Sequence, residues 1–255
     1  MTTPASLYES SRLAAGYAYA RPPVHRHIIE RVRQSLSLTA RVARALDVGC
    51  GAGLPTAAIA PLARNVIGLE PARTMLTHCP SVAPHAAFVV GMAERLPFPA
   101  GTFDLVTAGG SVNYMDHDRF LAELARVLTP GGSAVIYDFS PGRRTDDGPW
   151  LDEWFTMFER RYLAPRGDAL DVRSLDYPRF GLLLRTYEDV EVGVAITRRG
   201  YLEYVLSETR VEEAISGGVA EASIRDWCER TLPDRFDDQP REVRFASYIA
   251  YIGSV

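Results

Sequence analysis

The chain has 255 residues, a formal net charge of −4, 47% hydrophobic and 24% charged residues, and no lysine, so all 28 basic residues are arginine. That length fills one large domain or two small ones around a real core. The balance excludes a disordered tail, a broad electrostatic grip on nucleic acid and any lysine Schiff-base or lysine general-base chemistry.

No apolar run reaches the roughly 20 residues of a membrane helix. Met1 to Arg12 lacks a basic segment followed by an apolar one, so no secretory leader is expected. Cys50, Cys79 and Cys228 are too few and too scattered for a disulfide framework or a zinc site. A protein of the cytoplasm, with no membrane or nucleic-acid partner, is the expectation; no oligomeric state follows from the sequence.

The first forty residues read as helix, turn, helix, with Pro22-Pro23 opening a segment in which Ile28, Ile29, Val32 and Leu36 fall near helical spacing. From Arg44 strands and helices alternate. Short buried strands are predicted at Ala45–Val48, Asn65–Leu69, Ala87–Val90, Phe103–Thr107 and Ser133–Phe139. Helices are predicted at Leu54–Leu62, Arg73–Cys79 and Arg119–Leu128, the last with Phe120, Leu121, Leu124 and Leu128 on one face. Such alternation implies a parallel sheet with helices on both faces. After Ser140 the rhythm changes. A turn-rich linker leads to an aromatic helix, Trp150–Leu163; Tyr177–Tyr187 is ambiguous, and Val190–Ile196 alternates as a strand does. Tyr201–Ile215 and Ser223–Leu232 read as helices, and Val243–Ile252 as a long strand. Two late strands without a wide crossover between them imply an antiparallel edge.

Asp47-Val48-Gly49-Cys50-Gly51-Ala52-Gly53, followed by Leu54-Pro55, is the most informative stretch. A glycine turn after a first parallel strand lets a ligand lie against backbone where a Cβ would collide. Its spacing is G-x-G-x-G, not the G-x-G-x-x-G of dinucleotide sites, and no basic group marks a diphosphate cradle, so the expected ligand is a nucleoside without a pyrophosphate. Glu70 ends the next strand, placed either to bind a ribose diol or to sit solvated at a strand end.

Residues 44 to 139 resemble a class I S-adenosylmethionine-dependent methyltransferase of the small-molecule branch that includes ubiquinone-biosynthesis and trans-aconitate methyltransferases. Besides the glycine loop, the resemblance rests on Ala93-Glu94-Arg95-Leu96-Pro97-Phe98, on Gly101-Thr102-Phe103-Asp104-Leu105-Val106, and on Glu123 through Gly132. It implies an α/β, Rossmann-like, seven-stranded, mostly parallel sheet with an antiparallel last strand beside the sixth. Helices cover both faces, and a helical lid follows strand five. It also implies one domain, divided into a helical cover (1–43), a cofactor half (44–139), a substrate lid with sheet completion (140–235) and the last strand (236–255). The implied cofactor is S-adenosyl-L-methionine and the implied partner a small-molecule substrate.

The resemblance assigns roles residue by residue. Asp47 would face the methionine end, Gly49 and Gly51 would let the cofactor pass, and Glu70 would bind the ribose. Pro71 and Ala72 would lie beneath the adenine, the Ala93 amide would meet adenine N1, and Glu94 would accept from N6. Met92 stands where part of the family has Asp, leaving the N6 contact open and offering instead an apolar wall. Backbone at Ala108 and Gly109 would meet the methionine amine. Tyr17 and Arg21, in a Tyr-x-x-x-Arg-Pro element, would close over the cofactor's carboxylate, or Arg21 is a surface residue before a helix.

Methyl transfer from a sulfonium is an in-line displacement in which the enzyme aligns the nucleophile and excludes water. A base is needed only where the acceptor must lose a proton. Where the family often places His-Trp, this sequence has Asn113-Tyr114, which removes a histidine base at that position. His117, Tyr17, Tyr114 and Asp138 remain as candidates to touch the acceptor, each with a plain reading as a helix-start, wall or solvated residue. The aromatic helix covers the site, fills its own core, or does both. Arg160 is its candidate for drawing in an anion. No metal-ligand cluster is expected. The reading is methyl transfer to a small molecule. The alternatives are a non-methylating reaction using the same bound sulfonium and a non-catalytic binding subunit.

Overall fold

The computed structural model describes residues 8–164 and 170–255. Two helices, α1 (Ser11–Tyr19) and α2 (Val24–Ser35), precede the sheet. Residues 1–7 of the expected N-terminal cover lie outside the described part. The alternating region gives β1 (Val42–Val48), α3 (Leu54–Ile59), β2 (Ala63–Glu70), α4 (Arg73–Leu76), α5 (Cys79–Val82), β3 (Ala87–Val90), β4 (Phe103–Gly109), α6 (His117–Val127) and β5 (Leu128–Phe139). The remainder gives α7 (Trp150–Arg161), β6 (Leu182–Ile196), α8 (Arg198–Leu206), α9 (Thr209–Ser216), α10 (Glu221–Thr231) and β7 (Arg241–Ser254).

The seven strands form one sheet in the order β3-β2-β1-β4-β5-β7-β6. The first five strands pair in parallel, and β7 runs antiparallel to both β5 and β6. The expected architecture therefore holds. Sequence order reverses at β1, which pairs β2 on one side and β4 on the other. Ligands of open α/β sheets bind at such switch points, outside the carboxyl ends of the strands.

Apolar side chains cover both faces. On one, α2 lays Val24, Ile28 and Val32 on the sheet, continuous with Trp154, Phe155 and Phe158 of α7. On the other, α6 buries Phe120, Leu121, Leu124 and Val127, each worth about 1.5–3 kcal/mol for the larger side chains. That helix starts where the Asp116 side chain accepts from the Arg119 amide, an N-cap. A third, small cluster joins Leu13, Ala14 and Ala18 of α1 to Ala52, Ala72 and Met75. The N-terminal cover thus sits directly on the glycine loop.

Three expected elements differ. Arg73–Cys79 is two short helices, the second carrying Pro80 in its first turn, where a missing N–H does no harm. Strand β6 begins eight residues before Val190, with a register shift between Leu184 and Thr186 that hides its alternation. The helix predicted over Tyr201–Ile215 breaks at Ser207-Glu208. There Arg12 takes the Leu206 carbonyl (3.0 Å) and Arg21 the Ser207 carbonyl (3.0 Å).

The candidate cofactor site

The glycine loop follows β1 directly, and Gly49, Gly51 and Gly53 all have positive φ (71°, 53° and 97°). Gly49 and Cys50 donate to the Leu69 carbonyl at 2.8 and 3.0 Å, which draws the turn down onto β2. The three glycines differ in what surrounds them. A Cβ on Gly49 would lie 2.4 Å from the Ser111 Cβ, and one on Gly53 would lie 3.3 Å from the Cys79 sulfur. A Cβ on Gly51 would meet nothing within 4 Å. Gly51 is the place where the loop offers bare backbone to open space.

Glu70 stands beneath that opening. One carboxylate oxygen accepts from the Gly51 amide and the other from the Ala72 amide, both at 3.0 Å. Each oxygen retains a lone pair for a further donor. Burial raises its pKa against those two amides, which favour the anion. Its fixed position at the end of β2 fits a ribose diol.

Asp47 lies deeper than expected. It is fully buried, accepting from Thr56 Oγ1 at 2.7 Å and Thr107 Oγ1 at 2.9 Å. Burial lifts its pKa to about 6, opposed by those two hydroxyl bonds. Asp47 braces the loop from below, and a direct ligand contact requires a hydroxyl to give way.

Two cysteines that are distant in sequence converge on this loop. Cys79 approaches the Gly51 carbonyl at 3.4 Å and Cys50 approaches the same oxygen at 3.8 Å. Both are buried and free. Nothing in their spacing announces the meeting, because α4 and α5 create it.

In the segment expected to face an adenine, Ala93 is buried, Met92 is exposed, and Glu94 accepts the Asp116 amide at 2.9 Å. That last bond ties the Ala93 segment to the loop after β4. Pro71 and Ala72 follow Glu70, with Ala72 packed under α1. Ala108 is buried in β4, which ends at Gly109. A Cβ on Gly109 would be 2.5 Å from the Tyr137 hydroxyl, so the phenol fills the space that a side chain would need.

The candidate acceptor residues do not form one cluster. Asn113 and Asp138 meet, Nδ2 donating to Oδ2 at 3.1 Å, while the other Asp138 oxygen accepts the Phe139 amide at 2.8 Å. Burial raises the Asp138 pKa, opposed by those two donors. His117 Nε2 lies 3.2 Å from the Val112 carbonyl and donates to it. Any lone pair of the neutral ring is then on Nδ1. Tyr114 is exposed and lies edge-on to Tyr8, which in turn lies edge-on to Tyr17.

Arg21 is a correction, since it does not stand free for a ligand's carboxylate. Nη1 pairs with Glu208 at 2.7 Å, Nη2 bonds the Ser207 carbonyl, and the guanidinium lies 4.2 Å from the centroid of the Tyr17 ring. The aromatic helix α7 fills core, its Trp154 stacked on Phe158 and Trp227. Arg160 is exposed on its outer side.

One residue escaped the sequence reading. His25, in the first turn of α2, places Nδ1 2.9 Å from the Tyr137 hydroxyl, with its ring edge-on to Phe139. Burial, with the Arg21 cation nearby, lowers its pKa to about 3. Only the tertiary pairing across 112 positions singles it out.

Among the described residues, no group of histidine, cysteine or carboxylate side chains is placed to hold a metal, and no helix is long and apolar enough to cross a membrane.

Residues 46–136 match a family described as a methyltransferase domain. The chain is similar to a demethylmenaquinone methyltransferase of Beutenbergia cavernae, 30% identical over 60% of this chain and 62% of that one. The matched region therefore spans less than two thirds of that relative. A candidate type II methyltransferase of Anaeromyxobacter dehalogenans shares the fold, with a TM-score of 0.63, 20% identity and coverage of 91% of this chain and 97% of that one. A geranyl diphosphate methyltransferase solved in complex with S-adenosylmethionine shares it too, with a TM-score of 0.51, 19% identity and coverage of 90% and 85%. Over residues 46–136 this chain is thus similar to methyltransferase domains, and its fold is theirs.

Proposed function

We propose that the whole chain acts as one unit that transfers the methyl group of S-adenosylmethionine to a small-molecule acceptor. The observation that carries this is the pairing of Glu70, fixed by the Gly51 and Ala72 amides, with the open backbone at Gly51. Bound there, the cofactor supplies an activated methyl group on a sulfonium. Glu70 binds the ribose hydroxyls, Pro71 and Ala72 support the adenine, and the Ala93 amide and Glu94 recognise its polar edge beside Met92. Gly49 and Gly51 admit the nucleoside, and the backbone at Ala108 and Gly109 holds the methionine amine. Tyr17 and Arg21 close the N-terminal cover over the site, Arg21 through Glu208. Asn113, Tyr114 and Asp138 line the acceptor side.

The chain's own contribution to the chemistry is alignment and exclusion of water. The net charge of −4 and the arginines committed to ion pairs favour a small substrate over nucleic acid. Three buried free cysteines fit the reducing cytoplasm. Calorimetry with S-adenosylmethionine and S-adenosylhomocysteine tests the reading. Glu70→Ala is expected to weaken both by about tenfold or more, the worth of hydrogen bonds to a charged group. Absence of binding, or affinity indifferent to Glu70, defeats it.

A further inference from the structure

The hydroxyl of Tyr137 is fully buried, and His25 Nδ1 is its one partner among the described residues. A buried hydroxyl spends its proton on the acceptor available to it. Tyr137 therefore donates to Nδ1, and the imidazole proton sits on Nε2. Burial beside Arg21 keeps the ring neutral, and burial near Asp47 and Asp138 keeps the Tyr137 phenol protonated. Nε2–H has no protein partner among the described residues, and His25 as a residue is only half-buried. Through the Tyr137 ring it stands behind Gly109, at the carboxyl end of β4. The fold thus orients a neutral N–H donor beside the proposed methyl-transfer site and leaves it unused.

No strong base accompanies it. His117 Nε2 is taken by a carbonyl, the Asn113 and Phe139 donors stabilise the Asp138 anion, and Tyr137 stays a phenol. Arg21 lies nearby but is paired with Glu208. A donor without a strong base suits an acceptor that arrives already ionised.

We propose that His25 recognises the acceptor, its Nε2–H donating to an anionic oxygen, and that the substrate class is an oxygen acid such as a phenol, an enol or a carboxylic acid. The assignment rests on the methyl-transfer reading. The acceptor loses its proton to water before it binds. An oxygen lone pair then forms the new bond to the methyl carbon, and the carbon–sulfur bond breaks with its electrons going to sulfur. The acceptor's negative charge and the sulfonium's positive charge vanish together, so no proton is left for the protein to take. For an enolate the same balance holds with carbon as the attacking atom, and His25 then holds the oxygen.

Two measurements test this. Nitrogen-15 NMR of the full chain reads the His25 tautomer without cofactor or acceptor. The Nε2–H form is expected, and a proton on Nδ1 overturns the proposal. The second probe is 4-nitrophenol, coloured only as its anion, titrated into the protein in the presence of S-adenosylhomocysteine. The bound probe is expected as phenolate, with affinity about tenfold weaker in His25→Phe and largely restored in His25→Gln, which keeps an N–H donor. A probe that fails to bind, binds as the neutral phenol, or binds His25→Phe equally well overturns the proposal. Failure of S-adenosylhomocysteine itself to bind in calorimetry instead defeats the methyl-transfer reading beneath it, while the tautomer result stands independently.

Discussion

Burial of Asp47 between Thr56 and Thr107 leaves its carboxyl protonating near pH 6, well above its ordinary range. In the unfolded chain the same group releases its proton near pH 4. Between those values the folded state holds more protons than the unfolded one, so stability falls as pH rises through the window. The loss approaches about 3 kcal/mol, from two pKa units at about 1.4 kcal/mol each. Asp47→Asn removes the titration and keeps a polar group for the two hydroxyls. Denaturant melts at pH 4 and pH 7 are expected to show the wild type losing stability between them and the variant losing markedly less. An equal loss in both proteins removes Asp47 as its source. Asp47 itself was legible as the acidic residue before the glycines, but its depth was not. Two threonines, nine and sixty positions away, take its oxygens.

The glycine loop separates two effects that a motif treats as one. Gly49 is hemmed in by Ser111, whereas Gly51 faces open space; both carry positive φ. Gly49→Ala adds a clash to backbone strain, so it is expected to lower Tm by several degrees and to weaken cofactor binding. Gly51→Ala carries only the strain, about 1–2 kcal/mol for a left-handed residue, and puts its methyl where a ligand would lie. Its expected signature is a small Tm change with at least tenfold weaker S-adenosylhomocysteine binding, read by calorimetry. Similar affinity in Gly51→Ala and the wild type places the ligand elsewhere. At this scale the strands around the loop were readable because short apolar runs end in turn residues. The α8–α9 break was not, because arginines 194 and 186 residues away hold its carbonyls. Likewise β6 was read from Val190 on only, since Arg185, Thr186, Glu188 and Asp189 break the pattern where it leaves the core.

For the molecule as a whole, the N-terminal helices are fastened to the helices after β6 by two largely buried ion pairs, Arg21–Glu208 and Arg12–Glu212. Removing one partner of such a pair strands the other, at about 3–5 kcal/mol when burial is complete and less here. Arg21→Ala is expected to lower Tm clearly, and Arg21→Met with Glu208→Met to recover much of the loss. Any ligand carboxylate must compete with Glu208 for Arg21, so cofactor affinity is expected to change less than tenfold in Arg21→Ala. A large loss of affinity at unchanged Tm would restore Arg21 as a ligand contact. The seven-stranded order was implied by resemblance over residues 44 to 139, and the structure extends it through β6 and β7. His25 lay outside every motif, and only folding sets it against Tyr137.

The position of β7 has a consequence for how the chain is made. It is the last strand in sequence, yet it lies between β5 and β6 and pairs with both. A ribosome releases residues in order, so β5 and β6 emerge while the strand that joins them is still in the tunnel. Until residues 241–254 arrive, β5 offers an open edge and β6 has no strand to pair with. The nascent sheet can assemble up to β5, but β6 must wait for residues 241–254 before it joins the sheet. Chaperone engagement is therefore expected to be longest at this stage of synthesis, and ribosome-stalled chains ending before residue 241 should be cut by protease after β5 while the β1–β5 core survives.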